Sequence, residues 1–470
     1  MAADFRLLRV DGPRIVNGRD EDIRLRGFCL GGWLNMENFI IGYPAHETGI
    51  RVALSRVLGE DKARFFFERF LSHFITQEDL AFIRQLGCNL VRIPLNYRHF
   101  ETDERPFEYR SEGFALLDRV IGWARELDLY VILDLHAVQG WQNRGWHSDN
   151  GCRTAHFWGQ KVFEDRAVAL WEQLARRYRG QSTIAGYNLM NEPEADDVTW
   201  LNRFYRRATA AIRALDPDHI LFLDGNRSSQ HFDELEPPFD RNTVYSSHNY
   251  ALPATELMAY PGEFKGVIYD RERLEREYDE RTAYMMRHGV PNWVGEFGAI
   301  FGGETSDASR LQVLVDQIDM IEARGHHWTI WTYKDIGKMG LVCVDPESEW
   351  MQRTRPVREA KRLLRCDYWI EKQPGSIDPL LPRIGAAARE ALPDLPLDAQ
   401  QLEAELSGAV CEATLAQALL PAFAEQFRGM TEEEIDRMMQ SFSFVNCVPR
   451  SELVRLLDRR LGRHREAATA

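Results

Sequence analysis

Two glutamates in this sequence stand at the ends of segments that have the composition of buried strands. Residues 186–197 read GYNLMNEPEADD, in which an apolar run stops at Asn191, Glu192 and Pro193. Proline has no backbone N–H and cannot extend a strand, so Glu192 is expected at a strand tip, where functional side chains are commonly held. Glu296 occupies a similar place in the segment VGEFGA. We take these two carboxylates as the candidate catalytic groups.

Hydrolysis of a glycosidic bond typically requires two carboxyl groups that face each other. One carboxyl must carry a proton for the leaving oxygen, whereas the other must stay ionised and attack the anomeric carbon. Arg92 could hold a carboxylate in its ionised form, and Tyr250 could donate a hydrogen bond to it. The other polar or aromatic candidates for contact with a sugar are Asn191, His136, His248 and Trp331.

Eight apolar, β-rich runs could position these residues. They are residues 23–31, 89–94, 130–136, 184–193, 219–225, 243–250, 292–298 and 327–334. Amphipathic helical patterns lie between many of them, at 76–87, 111–128, 160–180, 197–216 and 306–325. Eight strands alternating with helices predict an α/β fold, the (β/α)8 TIM barrel, in which chemistry sits at the C-terminal ends of the strands. The fourth and seventh strands, which carry the two glutamates, would then face each other across the mouth.

Two further segments fall outside the simple barrel pattern. Residues 33–75 form a long, aromatic insertion after the first strand, expected to be partly helical and to form a wall of the site. The pattern ends near residue 368, and a stretch rich in proline and glycine follows it. We therefore predict a catalytic barrel at 1–368, a linker at 369–385 and a C-terminal helical region at 386–470.

The composition narrows the possible partners. The net charge of -14 argues against a nucleic-acid partner, which requires a basic surface. No run approaches the ~18 consecutive apolar residues of a membrane span, so no membrane span is expected. The N-terminus lacks a basic segment followed by an apolar one, which predicts a cytoplasmic protein without a secretory signal.

No cofactor or metal is predicted. The seven cysteines are scattered and form no CxxC pair, so they are expected to be free thiols. His147 and Asp149 could be interpreted as metal ligands, but their spacing fits no common zinc site.

The segments around the candidate residues resemble those of glycoside hydrolase family 5. The matching segments are VRIPLNY (91–97), ILDLH (132–136), NLMNEP (188–193), SSHNY (246–250), VGEFG (294–298) and IWTYKD (330–335). The resemblance implies that Glu192 is the acid/base and Glu296 the nucleophile of a reaction that retains configuration. It also implies supporting roles for the family's usual neighbours of these groups, here Arg92, His136, Asn191, His248, Tyr250 and Trp331.

The segment RGFCLGGWLNMENF (26–39) is similar to the exo-glucanase branch of that family, where a glutamate at the position of Glu37 contacts the terminal sugar. We therefore expect a retaining β-glycoside hydrolase that acts on the ends of short oligosaccharides or on glycosides. An endo-acting β-glucanase or mannanase and a glycolipid glycosidase remain alternatives. So do a non-catalytic carbohydrate-binding protein and a metal hydrolase on the same fold. The sequence leaves the sugar, the linkage and the oligomeric state open.

Overall fold

The computed structural model describes residues 7–302, 304–394 and 398–468, and eight parallel strands form a closed barrel at its centre. In chain order the strands are β1 Arg26–Cys29, β2 Leu90–Asn96, β3 Tyr130–Ala137, β4 Ile184–Asn188, β5 Ile220–Asp224, β6 Thr243–His248, β7 Asn292–Phe297 and β8 His327–Ile330. Each strand pairs in parallel with the next one along the chain, and β8 pairs with β1 to close the ring. The predicted TIM barrel is confirmed.

Helices connect most of the strands. The longer helices are α1 Glu47–Leu58, α2 Glu60–Phe74, α3 Gln77–Gln85, α4 Ser111–Glu126, α5 Lys161–Tyr178, α6 Val198–Leu215, α7 Arg271–His288, α8 Glu304–Ala323, α9 Glu349–Leu363, α10 Leu381–Ala391, α11 Ala399–Leu406, α12 Ala416–Glu425, α13 Glu432–Met439 and α14 Ser451–Ala468. Residues 225–242 join β5 to β6 with the short turn Asn226–Ser229, in which Arg227, Ser228 and Ser229 have positive φ, instead of a longer helix. The barrel therefore departs from strict alternation at this one connection.

Helix α7 has no counterpart among the predicted helices, although it spans eighteen residues. Its buried residues include Leu274, Tyr278 and Met285, which recur at helical spacing on one face. Most of the residues between Leu274 and Met285 are charged. The apolar stripe that would indicate an amphipathic helix is therefore narrow.

A short hairpin closes the N-terminal end of the barrel. It consists of Arg9–Asp11 paired antiparallel with Arg14–Val16. Its Ile15 belongs to one buried cluster with Leu90 and Ile220, which are the first residues of β2 and β5. Because this end is filled with apolar side chains, the open end is the one where the strands finish.

The insertion after β1 is partly helical, as predicted. It forms the turn Asn38–Ile41 and then helices α1 and α2. Helix α2 buries Phe66, Phe70 and Phe74, spaced four residues apart on one face. That spacing gives a continuous aromatic stripe which must pack against another element.

The element that covers this stripe lies near the C-terminus. We call the described residues from Leu381 to Ala468 the C-terminal extension. Its Phe427 packs edge-on against Phe66, with ring centroids 5.1 Å apart. Its Phe442 packs in the same way against Phe70, also at 5.1 Å. The extension and the barrel therefore share one hydrophobic core.

Hydrogen bonds also join the extension to the barrel. The strand Cys447–Pro449 pairs antiparallel with Val342–Val344, which follows β8. The fully buried Lys334 donates to the carbonyl oxygens of Phe74 at 2.7 Å and Phe442 at 2.8 Å. The Lys334 side chain thus hydrogen-bonds the segment that follows β8 to both the insertion and the extension.

The division into 1–368, 369–385 and 386–470 stays a prediction. The structure adds that α10 begins at Leu381, inside the segment expected to be a linker.

One stretch of the extension, Gln401–Glu425, is long and apolar enough to cross a membrane when judged by length and composition alone. It comprises α11, the π-helical segment Ser407–Leu415 and α12, and 28% of its apolar window is buried in the protein. The expected absence of a membrane span therefore stays a prediction.

Replacing Phe442 with alanine tests the shared core. Phe442 is fully buried, so we expect Phe442→Ala to lower the free energy of unfolding by about 3–5 kcal/mol. Val445, three residues further along the chain, is 78% exposed. Val445→Ala should therefore change the free energy of unfolding by less than about 0.5 kcal/mol. Urea unfolding followed by tryptophan fluorescence measures both changes. Equal midpoints for the two variants would show that the extension does not belong to the core.

Candidate active site

A cavity of about 980 Å³ opens at the end of the barrel where the strands finish. The predicted site residues that line it are Glu37, His136, Glu192, Tyr250, Glu296 and Trp331. The other three, Arg92, Asn191 and His248, are buried directly behind them. The structure therefore brings all of the predicted site residues together in one place.

Glu296 on β7 is held by two donors of different kinds. The Arg92 guanidinium from β2 donates through Nη1 to Oε1, and the Tyr250 hydroxyl donates to Oε2 at 2.8 Å. Burial lowers the pKa of Arg92, but the carboxylates of Asp134 and Glu296 outweigh burial and raise that pKa well above its usual value. Arg92 is therefore a permanent cation in direct contact with Glu296.

Glu192 follows β4 and contacts two histidines. Nδ1 of His248 lies 2.7 Å from Oε1, and Nε2 of His147 lies 3.2 Å from Oε2. The backbone at Glu192 has a φ of 43°, a left-handed conformation that a non-glycine residue adopts only when its surroundings enforce it. Part of that enforcement is the hydrogen bond from its N–H to Asp224 at 3.0 Å.

The two histidines and Glu192 share protons as one group. Burial opposes ionisation of Glu192, but hydrogen bonds from His147 and His248 outweigh it and hold the pKa of this carboxyl well below its usual value. Burial also lowers the pKa of His147, and the Glu192 carboxylate more than reverses that effect, so the pKa of His147 is raised. For His248, the carboxylates of Glu296 and Glu192 overcome burial and raise the pKa. A proton absent from Glu192 is therefore held on an adjacent imidazole.

The two candidate carboxylates are close together. One oxygen of Glu192, one oxygen of Glu296 and one ring nitrogen of His248 lie within 4.8 Å of one another. Retaining glycosidases place their carboxyl groups ~5–5.5 Å apart, and inverting enzymes ~6.5–9.5 Å apart. The same three groups could ligate a metal ion, but the permanent cation of Arg92 beside Glu296 disfavours a second positive charge at that carboxylate.

His136 on β3 joins the remaining predicted sugar contacts. Its Nδ1 lies 2.7 Å from Asp134, its Nε2 lies 3.3 Å from Glu37, and Asn191 Nδ2 lies 3.3 Å from the same Nε2. Its ring stacks on Trp331, with centroids 5.3 Å apart and planes at 7°. Burial lowers the pKa of His136, but Asp134 overrides it and raises the pKa to about 10.

His147 is the principal site residue that sequence reasoning did not include. From the sequence, His147 could be interpreted only as a metal ligand together with Asp149. In the structure Asp149 accepts hydrogen bonds from Thr48 at 2.7 Å and Arg98 at 2.8 Å, whereas His147 contacts Glu192. The two residues thus belong to different clusters, and the pattern HAVQGWQNRGWH gave no sign of this because a loop sets their positions.

The cavity also has lining residues from beyond the barrel strands. Tyr368 and Trp369 follow α9, and Ala404, Glu405 and Glu412 belong to the C-terminal extension. No local motif marks these residues, since their place in the site depends on how the extension packs on the barrel.

Comparison with known proteins identifies the family. Residues 58–337 match the family model of cellulase (glycosyl hydrolase family 5). The chain is 39% identical over 465 residues to a beta-xylosidase of Phanerodontia chrysosporium, covering 96% of this chain and 97% of that protein. It is 28% identical to a probable glucan 1,3-beta-glucosidase A of Aspergillus clavatus, covering 71% of this chain and 88% of that protein.

A solved structure shares the fold. The endoglucanase Cel5A of Thermotoga maritima superimposes with a TM-score of 0.51 at 20% identity, over 67% of this chain and 91% of that one. The predicted family resemblance is confirmed by the family model and by the full-length relative. The chain therefore belongs to glycosyl hydrolase family 5 and is a glycosidase.

Proposed function

We propose that the protein is a retaining exo-β-glycosidase that removes single sugars from short oligosaccharides or glycosides. The observation that carries this proposal is the close approach of Glu192 and Glu296 in unlike surroundings within one cavity. A permanent cation accompanies one carboxylate, and titratable histidines accompany the other. Such a difference separates a nucleophile from an acid/base.

Glu296 has the surroundings of a nucleophile. Arg92 and Tyr250 each donate to one of its carboxylate oxygens and fix its orientation. In the first step one Glu296 oxygen forms a bond to the anomeric carbon while the bond to the leaving oxygen breaks. In the second step water replaces Glu296 and restores the original configuration at that carbon.

Glu192 has the surroundings of the acid/base. The leaving oxygen needs a proton in the first step, and the attacking water must lose one in the second. Glu192 can supply and recover that proton because His147 and His248, both with raised pKa values, hold one beside it. The close histidines therefore act as a proton reservoir for a carboxyl whose pKa they lower.

The remaining predicted residues suit the sugar that is being transferred. Asn191 lies next to Glu192 and within reach of a hydroxyl near the reacting carbon. Glu37 and His136 form a polar edge at the same side of the cavity, and Trp331 offers an apolar surface to a pyranose ring. Together they would orient one sugar above Glu296.

The names of the relatives suggest which sugars to test first. A full-length relative is named a beta-xylosidase and a more distant one a glucan 1,3-beta-glucosidase. Both names describe enzymes that act on β-linked sugars, so aryl β-xylosides and β-glucosides are the first substrates for this chain. An endo-acting enzyme is the second candidate, because other relatives are named endoglucanases.

The product pattern tests the exo mode. We expect monosaccharide to be released stepwise from xylo- or gluco-oligosaccharides, while the viscosity of a soluble xylan or β-glucan falls little. Chromatography of early products and viscometry on the same samples measure both. Early oligomers of mixed length with a rapid fall in viscosity would replace the exo proposal with an endo one.

Substitution of each carboxylate tests its role. We expect Glu296→Gln to lower kcat/KM by at least about 10⁴-fold on every substrate, because the nucleophile is lost. We expect Glu192→Ala to lose far less on glycosides with good leaving groups than on oligosaccharides, because a good leaving group needs no proton. Added azide should raise the rate of Glu192→Ala only. An equal loss of kcat/KM on both substrate types would show that Glu192 is not the acid.

The pH profile tests the proton reservoir. The pKa of His147 is raised from 6.5, so its proton persists above pH 6.5 and is lost as pH rises through the raised value. We expect kcat/KM on oligosaccharides to fall on that limb, and His147→Asn to move the limb to lower pH. His288→Asn at an exposed helix end serves as the control. An unchanged basic limb in His147→Asn would contradict the reservoir.

A further inference from the structure

The C-terminal extension reaches the cavity through two ion pairs with the loop that follows β3. Glu405 lies 3.3 Å from Arg144, and both side chains are 51% exposed. Glu412 lies 3.1 Å from Arg153, and these side chains are 7% and 21% exposed. An exposed pair adds little stability, whereas the second pair is buried enough to have a specific role.

Glu412 lines the cavity and has one hydrogen-bonding atom without a partner among the described residues. Its Oε2 accepts from Arg153, but its buried Oε1 has no hydrogen-bond partner within the described part of the chain. Burial raises the pKa of Glu412 to about 8, with Arg153 opposing the rise. The protonated form of this carboxyl can both donate and accept a hydrogen bond. A buried polar atom without a partner is uncommon and calls for an explanation.

The backbone around Glu412 is irregular. Ser407–Leu415 is π-helical, a conformation that often marks functional sites. Within it, Gly408 approaches the Arg153 guanidinium so closely that a Cβ at this position would collide with it. The segment is therefore shaped to accommodate Arg153 beside Glu412.

Glu412 lies on the same side of the cavity as the predicted contacts of the terminal sugar. His147 links them, since its charge acts on both Glu37 and Glu412. The adjoining wall is aromatic, because Trp369 packs against both Phe39 and Tyr250. Glu412 therefore lies on the cavity wall together with Glu37, the residue expected to contact the terminal sugar.

We propose that the C-terminal extension closes the non-reducing end of the sugar pocket, and that Glu412, oriented by Arg153, binds a ring hydroxyl of the terminal sugar. This inference rests on the proposed exo-glycosidase function and makes Glu412 a specificity-determining residue within it. The substrate class is a β-glycoside whose terminal sugar has a free hydroxyl at C3 or C4.

The competing interpretation is that the ion pair only anchors the extension. An anchor would be needed for stability but would be insensitive to the hydroxyl groups of the substrate. A binding residue would lose affinity for the hydroxyl it contacts and for no other. The test must therefore vary protein and substrate together, as a double-mutant cycle does.

Two variants whose side chains are as long as glutamate separate the effect of the hydrogen bond from the effect of packing. Glu412→Met fills the same space without a hydrogen bond, and Glu412→Gln keeps both a donor and an acceptor. Glu425→Ala is the control, because Glu425 is exposed on the neighbouring helix and pairs with Arg428. Each variant is first compared with wild type by urea unfolding, and Glu412→Ala replaces Glu412→Met if the latter does not fold.

The substrates are the aryl β-glycoside that wild type hydrolyses fastest and its 3-deoxy and 4-deoxy analogues. We expect Glu412→Met to raise KM for the parent glycoside roughly 5- to 10-fold with kcat nearly unchanged. Glu412→Gln and Glu425→Ala should stay within about 3-fold of wild type, the spread expected for a retained hydrogen bond. For one deoxy analogue, the penalty seen in wild type should disappear in Glu412→Met.

The outcomes distinguish this inference from the proposed function. If wild type hydrolyses no aryl β-glycoside, or attacks polymers internally, the proposed function fails and the inference fails with it. If wild type is an exo-glycosidase but Glu412→Met behaves like Glu425→Ala, only the inference fails. The same holds if Glu412→Met keeps the full penalty for both deoxy analogues, because the carboxyl then contacts neither hydroxyl.

Discussion

A guanidinium buried at the centre of the barrel mouth is the constraint on which the site depends. A buried cation is tolerated only when carboxylates and hydrogen bonds surround it. Arg92 meets this requirement with Asp134 from β3, Glu296 from β7 and the amides of Asn188 and Asn191 at the end of β4. The register of four strands is therefore tied to one charge. A shift of any of these strands would separate that charge from its partners and misplace the candidate nucleophile at the same time.

The difference between the two glutamates follows from what surrounds them. Glu296 faces an arginine, whose charge does not change over the working pH range, and a tyrosine hydroxyl. Glu192 faces His147 and His248, whose charges do change in that range. The barrel thus holds two glutamates in different surroundings, with a permanent cation beside Glu296 and titratable histidines beside Glu192. The proximity of the pair, within 4.8 Å together with His248, makes this difference chemically useful, since one sugar carbon and its leaving oxygen can contact both.

The sequence predicts the parts of this arrangement that depend on local pattern. Most of the eight strands are rich in apolar residues, and Pro193 indicates that the chain has left the strand by that point, although β4 ends earlier, at Asn188. It does not predict α7, because charged residues narrow its apolar face, or the role of His147, because a loop orients that side chain. Glu412 is hidden for a different reason. It lies 220 positions after Glu192 in the sequence, and long-range contacts of the extension, among them the packing of Phe427 and Phe442 on the insertion, bring it to the cavity.

The extension shows how a common barrel can acquire a specific pocket. Glu296, Arg92 and His136 stand on barrel strands, and Glu192 follows one closely. The matched family model ends at residue 337, before the extension begins, whereas the similarity to the full-length relative continues through it. The extension therefore covers the aromatic face of α2 with one set of residues and lines the cavity with another. Because the two glutamates belong to the barrel, the proposed role of Glu412 would let changes in the extension alter which sugar fits without altering how the glycosidic bond is broken.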